Sequence, residues 1–532
     1  MFPIQQGVHL RIMLQEEALP RLFLPYIIDR KDSYGCDTRF RRRDSVAQSP
    51  GRKRVIVEFS SPNLASDFQG KHLRSTVQGD FIARLHEATG WDVIRMNYLN
   101  DWGKSIALLG VGWERFGAQA VFDANPIGHL TEVHQRINAL FEPELAASRK
   151  ARSDALHGRT PENGKTQAQI ESEGLFAERD NFLKRMEGGE EKALAFQKYV
   201  RDVSIKDYAA LYRRLGIHFD DYSGESCISP DTMTEIEEMV KSKGLCEERD
   251  GQLIVELKKY KLNYGKIRDR SGSRTYLLRD LAAVLERLRK YAFDKMIYVV
   301  AADHKVQFSQ VTKIFELLDM SHVASKLQHV FFNETSKMVE EFGEGHCTLD
   351  AILARCTDAT REALKLNQEK AATMGDTEET VASVGVSAIK AQELSARRAR
   401  EQVFDVSHMV SFESGTGPTL RWWYSMLSDA VSSRPNLDEI SDEDWGSMES
   451  DSVFNLLRLL AQWPNVVQSV CKELDPTLIT GYLEKVTMEL SEFVKEDIGS
   501  KKPTEAQIML FEAVRVVFGS GLGLLGILPG LP

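Results

Sequence analysis

The sequence predicts an α/β protein in which a parallel-sheet domain is followed by an all-α bundle. Three observations support this prediction. The chain has 532 residues, too many for one hydrophobic core, which indicates two or three domains. Residues 54–101 alternate short apolar runs with a helical pattern, which is the order of a parallel βαβ unit. From about residue 405 the pattern is almost entirely helical, which is typical of a bundle.

The predicted sheet begins at residues 54–60, where the run RVIVEFS is typical of a buried strand. A Ser-Pro-Asn break follows, and apolar residues then recur at three- and four-residue steps over residues 72–89, which predicts a helix. Residues 92–98 are the second predicted strand, and MIYVVA at 296–301 is a further one, with a helix from about residue 310. We expect ligands to bind beyond the carboxyl ends of these strands.

We expect three domains, at residues 1–53, 54–404 and 405–532. The middle domain carries a predicted insertion around residues 120–220. Within it the segment 148–171 is rich in Lys, Arg, Gly, Thr and Gln, which predicts an exposed insertion or a disordered loop.

Composition and motif content exclude several classes of function. The net charge of −10 gives no general attraction to nucleic acid, so RNA binding requires local basic patches and DNA binding is not expected. No G-x-G-x-x-G follows the first strand and no P-loop motif occurs, which argues against those two nucleotide sites. The six cysteines form no CxxC pair, so no metal site is expected. Without signal-peptide features or a long apolar stretch, a cytoplasmic protein with no membrane partner is expected.

Local basic residues leave two interpretations open. Arginines are dense in residues 39–43, and residues 52–54 are all basic. Either an RNA-binding patch or a solvated loop explains this pattern equally well.

Seven motifs in a fixed order carry a resemblance to a known family. They are VIVEFSSPN, FQGKHLRST, GWDVIRMNYLNDWGK, DYSGES, TYLLRD, FDKMIYV and SFESGTGP, spread from residue 55 to residue 418. In sequence and order they resemble the arginyl-tRNA synthetases, a class I family. The resemblance implies a class I synthetase-like Rossmann catalytic domain with insertions, followed by a helical domain similar to those that bind the tRNA anticodon. It also implies that residues 1–53 are the remnant of an N-terminal added domain.

The resemblance also implies an arginine pocket. A guanidinium is a planar fork of five donors that pairs with carboxylates. The family's two acids correspond to Glu58 and Asp280, its substrate-amine asparagine to Asn63, and its closing tyrosine to Tyr276. The alternative for Glu58 is an acid at a strand end that is paired with a neighbouring base.

One family position in this pocket has diverged. The glutamine that contacts the substrate amine falls in residues 301–305, which here contain Asp303 and His304. Either side chain is a candidate replacement, and His304 is a candidate proton carrier near neutral pH. A purely structural histidine is the alternative.

The first ATP element of class I synthetases is the HIGH-type motif, whose two histidines face the phosphates. The corresponding residues here are Gln69, Gly70, Lys71 and His72, so only the second histidine remains. A glycine that leaves room for the base is replaced by Lys71.

The second ATP element, the KMSKS loop, corresponds to residues 337–343, where Glu340 and Glu341 occupy positions of cations. Each acid would repel a polyphosphate by about 1 kcal/mol or more. A compensating lysine used elsewhere in the family is also missing, because Ser66 and Asp67 occupy that region. These losses predict inefficient adenylation. Displaced cations at Lys71 and Lys337 are the alternative.

From these losses we expect a cyclodipeptide synthase of the fungal, arginine-containing kind, an offshoot of the family. Such an enzyme joins arginine from arginyl-tRNA with a second aminoacyl-tRNA to give a diketopiperazine, with no cofactor. His72 and His304 are the predicted proton carriers, and Ser60 and Ser61 are nucleophile candidates by chemistry alone. The second substrate is expected near four residues, namely Ser61, Gln69, Lys71 and Asp303.

Two other functions stay open at this point. One is a divergent arginine–tRNA ligase that charges tRNA using ATP. The other is an inactive tRNA-binding paralogue.

Overall fold

The structure, a computed structural model, describes residues 18–36, 52–62, 64, 68–157, 159, 164–270, 272–343, 346–431, 440–499 and 502–527. Its strands are β1 (Arg54–Phe59), β2 (Asp92–Leu99), β3 (Asp221–Gly224), β4 (Cys246–Arg249), β5 (Gln252–Glu256), β6 (Tyr264–Arg268), β7 (Lys295–Ala301), β8 (Leu327–Phe332), β9 (Thr335–Ser336) and β10 (Gln402–Val403).

Helices make up most of the remaining described chain. They are α1 (Ala18–Arg30), α2 (Gly70–Ala88), α3 (Lys104–Phe116), α4 (Gln119–Ala124), α5 (Pro126–Leu156), α6 (Gln167–Glu171), α7 (Gly174–Glu187), α8 (Glu191–Arg214), α9 (Pro230–Ser242), α10 (Tyr276–Tyr291), α11 (Lys305–Leu317), α12 (Ser321–Ala324), α13 (Met338–Phe342), α14 (Leu349–Leu366), α15 (Gln368–Met374), α16 (Glu378–Ser395), α17 (Val406–Met409), α18 (Gly417–Ala430), α19 (Asp442–Gly446), α20 (Asp451–Glu473), α21 (Thr477–Phe493) and α22 (Glu505–Leu524).

The central sheet has five parallel strands in the order β3-β2-β1-β7-β8. Its middle strand, β1, is buried over nearly its whole length because helices cover both faces of the sheet. Glu58, near the end of β1, is in register with Met96 on β2 and Tyr298 on β7. The sheet confirms the predicted α/β class and places Glu58 at the carboxyl edge, where ligands of open sheets bind.

Helix α2 connects the sheet to the rest of the molecule. Most of its residues are buried, and its sequence has no clear polar face. This pattern arises because β1 and β2 pack on one side of the helix while α16 and α22 pack against it elsewhere. The N-terminus of α2 is therefore fixed relative to both the sheet and the helical part of the chain.

The helices α4 to α8 lie between β2 and β3, in the region predicted as an insertion. The segment 148–171 was predicted as an exposed insertion or a disordered loop, and the loop alternative is wrong for its helical parts. Residues 148–156 continue α5, because a run rich in Ala, Arg and Lys favours helix, and residues 167–171 form α6. The predicted domain bounds at residues 53 and 404 stay predictions.

The carboxy-terminal helices form the predicted bundle, with α1 packed against α22. Helix α22 is long and apolar enough by length and composition to cross a membrane, which the sequence prediction missed, but 78% of its most apolar stretch is buried within the protein. A core helix passes the same test, so this helix does not establish a membrane span. The arginines of residues 39–43 lie outside the described residues.

Candidate functional site

The candidate arginine site lies where β1, β2 and β7 end and helix α10 begins. Helix α10 starts at Tyr276, after Thr275, whose hydroxyl donates to the carbonyl oxygen of Ile267 at 3.2 Å. This contact anchors the helix start to β6. The first turns of α10 therefore face the carboxyl edge of the sheet, where Glu58 lies.

Glu58 forms a buried ion pair. Arg287 Nη1 lies 2.5 Å from Glu58 Oε2, and both side chains are only 6% exposed. The Arg287 guanidinium also lies over the ring of Tyr98, with Cζ 4.8 Å from the ring centroid. Burial raises the pKa of Glu58, although the charge and hydrogen bond of Arg287 oppose that rise. The ion pair agrees with the alternative predicted for Glu58, an acid paired with a base, but Arg287 was not predicted as its partner.

Asp280 is the second acid of the site. Gln307 Nε2 donates to Asp280 Oδ2 at 2.5 Å. Burial raises the pKa of Asp280 to about 7; the Gln307 hydrogen bond opposes this rise and the nearby Glu58 charge adds to it. The two acids are thus electrostatic neighbours, as a guanidinium site requires.

Tyr276 lies at the rim of this site and is 48% exposed. Its hydroxyl would lie 3.7 Å from a Cβ atom built on Gly103, and Glu225 Oε2 would lie 3.9 Å from the same point. Glu225 is buried, with Arg279 Nε 3.7 Å from Oε2. Burial raises its pKa well above the usual range. Asn63 lies outside the described residues.

Among the described contacts, neither Asp303 nor His304 is bonded to Glu58 or Asp280. Both belong to a short 3₁₀ turn after β7, and their side chains are 74% and 53% exposed. They contact each other loosely, with 3.8 Å between His304 Nε2 and Asp303 Oδ1. The first turn of α11 instead brings Gln307 to Asp280. Gln307 lies just beyond the diverged stretch, which is why the sequence analysis missed it.

His72 has a defined tautomer in the HIGH-type segment. The backbone N–H of Gln69 donates to His72 Nδ1 at 3.2 Å, so the ring proton is on Nε2. Burial, with the charge of the exposed Lys71, lowers the pKa of His72 to about 3. A proton-carrier role near neutral pH does not fit this geometry, whereas a hydrogen-bond donor through Nε2 does.

The two predicted ATP elements are packed together. The backbone N–H of Gly70 donates to the carbonyl oxygen of Cys347 at 2.9 Å. A Cβ atom at Gly70 would meet Met338 Sδ at 2.4 Å and Cys347 Sγ at 2.6 Å, so only glycine permits this contact. Helix α13, from the KMSKS-like segment, is thereby held against the start of α2.

The charges in the KMSKS-like segment are less adverse than its sequence indicates. Glu341 Oε1 pairs with Arg355 Nε at 3.1 Å, which partly neutralises that acid. Lys337 is exposed and has a left-handed backbone, with φ of +63°. Glu340 is exposed. Ser66 and Asp67 lie outside the described residues.

Ser60 and Ser61 occupy a strained turn rather than a nucleophilic site. Their φ angles are +72° and +49°, in the region that favours glycine. Ser60 Oγ bonds the Tyr212 hydroxyl and accepts from Thr76 Oγ1, both at 2.7 Å, and Ser61 Oγ accepts from the backbone N–H of Tyr98 at 3.4 Å. In the described part of the chain no carboxylate or imidazole is bonded to either hydroxyl, so neither is activated by a base.

Known proteins match nearly the whole chain. Residues 40–406 match the family model described as tRNA synthetases class I (R), catalytic domain, and residues 424–529 match the DALR anticodon binding domain. The chain is 35% identical to the cytoplasmic arginine–tRNA ligase of Saccharomyces cerevisiae, over 98% of this chain and 82% of that protein. A probable cytoplasmic arginine–tRNA ligase of Schizosaccharomyces pombe is 34% identical over the same shares. The mitochondrial arginine–tRNA ligase of S. cerevisiae is 32% identical, over 98% and 77%.

Solved structures agree on the fold. Arginyl-tRNA synthetase from Plasmodium falciparum superposes with a TM-score of 0.71 at 19% identity, covering 91% of this chain and 77% of that one. The Thermus thermophilus arginyl-tRNA synthetase gives 0.66 at 18% identity, covering 96% and 85%. Both confirm the predicted synthetase-like catalytic domain followed by a helical domain.

The cyclodipeptide synthase prediction is wrong. The relatives above are all named arginine–tRNA ligases, so the predicted diketopiperazine product and the place in secondary metabolism are contradicted. A second aminoacyl-tRNA partner and the expected absence of any cofactor are likewise unsupported. The prediction depended on individual residues of the two ATP motifs, but the packing that joins those motifs is present. By its catalytic and anticodon-binding models and its relatives above 30% identity, the chain belongs to the class I arginyl-tRNA synthetase family.

Proposed function

We propose that this protein is an arginine–tRNA ligase that charges tRNA with arginine using ATP. The reaction has two steps. The arginine carboxylate attacks the α-phosphate of ATP, and pyrophosphate leaves. A terminal ribose hydroxyl of tRNA then attacks the activated carbonyl carbon, and AMP leaves. The relatives' names support this proposal, and the carboxyl edge of the sheet supplies its chemistry.

The observation that carries the proposal is the pair of buried acids at that edge. With Glu58 already paired to Arg287, Asp280 is the acid with no cation bonded to it among the described residues. A substrate guanidinium would supply the missing positive charge and form charge-assisted hydrogen bonds. We expect Tyr276, which is exposed at the rim, to cover the substrate's side chain.

The ATP side of the site depends on the N-terminus of α2. The partial positive charge at the start of a long helix favours an anion there. His72 offers Nε2–H there as a neutral donor, and the exposed Lys71 and Lys337 offer cations. These groups fit a polyphosphate better than the sequence motifs alone indicate, because Glu341 is already paired with Arg355.

The tRNA side depends on the carboxy-terminal bundle. Residues 424–529 match an anticodon-binding model, and α22 of that bundle packs against α2 of the catalytic part. We also propose a cytoplasmic location. Two of the relatives named above are cytoplasmic enzymes, whereas one is mitochondrial.

Exchange of labelled pyrophosphate into ATP tests the adenylation step. We expect exchange that depends on arginine, measured with and without tRNA, and that falls strongly in Asp280→Asn. The exposed acid Asp123 of α4 accepts a hydrogen bond from Gln119, so Asp123→Asn is the matched control and should keep the wild-type rate. Absence of exchange under both conditions, in protein that still binds arginine, would contradict the proposal.

A further inference from the structure

Arg287 is a buried arginine that lies on the same helix as Asp280 and contacts Glu58. It is seven residues after Asp280 on α10, two helical turns later and on the same face. Its guanidinium reaches across to β1, where it meets Glu58 at 2.5 Å. The site thus already contains one guanidinium, supplied by the protein itself.

The titratable groups around the two acids, Glu58 and Asp280, lie on several of the surrounding strands and helices. Titratable groups that act on the two acids are Glu58 on β1, Tyr98 on β2, Tyr298 on β7, Glu225 after β3, and Asp280 and Arg287 on α10. Arg287 is the cation among them that directly contacts an acid. Without such a cation both neighbouring buried carboxyls favour the protonated form, because burial and like charge each oppose ionisation.

We propose that Arg287 is a positioning residue that keeps Glu58 ionised and fixed, so that a substrate guanidinium displaces the proton of Asp280 alone instead of one proton from each carboxyl. The proposal rests on arginine being the substrate, but it concerns binding alone. Arginine selectivity follows from it. Two carboxylates accept hydrogen bonds from a guanidinium, whereas a protonated carboxyl donates to the urea oxygen of citrulline, which is neutral and similar in shape.

Titration calorimetry with L-arginine and L-citrulline between pH 5.5 and 8 tests the proposal without ATP or tRNA. In the wild-type protein, arginine affinity should rise about tenfold per pH unit below pH 7, because one proton leaves as arginine binds. In Arg287→Met the rise should approach about a hundredfold per unit, because two protons leave. The preference for arginine over citrulline should fall at least about tenfold in the same variant.

Two further variants separate positioning from packing. Arg287→Lys keeps a positive charge and should keep the wild-type pH slope. Arg289→Met removes an exposed arginine of the same helix, paired with Glu235, and should change nothing. If Arg287→Met does not fold, the double variant Glu58→Gln with Arg287→Gln takes its place. It should bind arginine at least about tenfold more weakly, with the one-proton slope of Asp280 alone.

A wild-type pH slope and wild-type selectivity in Arg287→Met would overturn the proposal, as would wild-type affinity in the double variant. Failure of the ligase proposal looks different. If the protein gives these binding results but shows no pyrophosphate exchange, the proposed role of Arg287 is supported and only the proposed ATP-dependent reaction is contradicted.

Discussion

Gln307 Nε2 lies 2.5 Å from Asp280 Oδ2, so the first turn of α11 holds the acid presented by the second turn of α10. Among the described residues Asp280 is hydrogen-bonded but has no cation bonded to it, and it lies beside the ion pair of Glu58 with Arg287. The pKa of about 7 for Asp280 follows chiefly from burial and means that the acid is partly ionised near neutral pH. A bound guanidinium favours the ionised form.

Replacing Asp280 by Asn should weaken arginine recognition. The loss of one charge-assisted contact corresponds to about 1.5–3 kcal/mol, or roughly a 10- to 100-fold rise in KM for arginine. The KM for ATP should change little. Steady-state charging kinetics measure both constants, with Asp123→Asn, at an exposed position of α4, as the control. An unchanged KM for arginine would show that Asp280 does not bind the substrate.

The stability of the ligand-free protein should also depend on Asp280. Its pKa is raised from 3.8 to about 7 on folding, so the folded state binds more protons between those values. The free energy of unfolding should therefore fall, through Asp280, as the pH rises from about 4 to 7. Asp280→Asn should unfold at a higher temperature than wild type at pH 8, and the difference should shrink towards pH 5. A variant that is less stable at pH 8 would contradict this.

Replacing only one partner of the Glu58–Arg287 pair should lower the free energy of unfolding substantially. Glu58→Leu leaves a buried guanidinium without its carboxylate, which should destabilise the fold by about 3 kcal/mol. Adding Arg287→Met should recover much of that loss, because no unpaired charge then remains. Urea unfolding of the single and double variants measures the coupling. The exposed pair Glu235 and Arg289, treated in the same way, should show a coupling below about 1 kcal/mol. Additive effects at the buried pair would show that the two charges act independently.

His72 should act as a hydrogen-bond donor and not as a proton carrier. With a pKa of about 3 it is neutral over the working range, so no limb of the kcat profile between pH 5.5 and 8 should belong to it. His72→Ala should lower kcat by roughly 100- to 1000-fold, and His72→Gln by less, because an amide can replace Nε2–H. His304→Gln, at an exposed position, should stay close to wild type. If the wild-type kcat profile has an acidic limb that His72→Gln lacks, His72 is a proton carrier after all.

Lys337 should assist ATP binding from the KMSKS-like segment. An exposed cation near a polyphosphate contributes about 1 kcal/mol, so Lys337→Met should raise the KM for ATP by roughly 5-fold. The KM for arginine should not change. The control is Lys365→Met, which removes an exposed lysine of α14 paired with Glu362. An equal rise in the KM for ATP in both variants would show that Lys337 does not contribute specifically to ATP binding.

The sequence predicted the sheet, because buried strands have strong local signals, whereas the assignment of Glu58 and Asp280 to one pocket came from the resemblance to the family's motifs. It did not predict that Arg287 would meet Glu58, since that contact depends on how α10 packs across β1, more than two hundred residues away in sequence. It did not indicate that a 3₁₀ turn leaves the side chains of Asp303 and His304 exposed, and their roles at the site stay predictions.

The ATP elements show the limit of motif comparison most clearly. Missing histidine and lysine residues predicted a lost reaction, but motif letters do not reveal packing. Gly70 fits against Met338 and Cys347, and Glu341 is paired with Arg355. Whether two segments remain docked depends on contacts between residues far apart in sequence, which a local pattern does not contain.

Charging of tRNA with labelled arginine is the most direct test of the central claim. Purified protein, arginine and tRNA are incubated with and without ATP, and arginyl-tRNA is measured together with AMP. We predict arginyl-tRNA only when ATP is present, one AMP for each arginine attached, and a large loss in Asp280→Asn. No arginyl-tRNA with ATP present, from folded protein that binds both arginine and tRNA, would contradict the account.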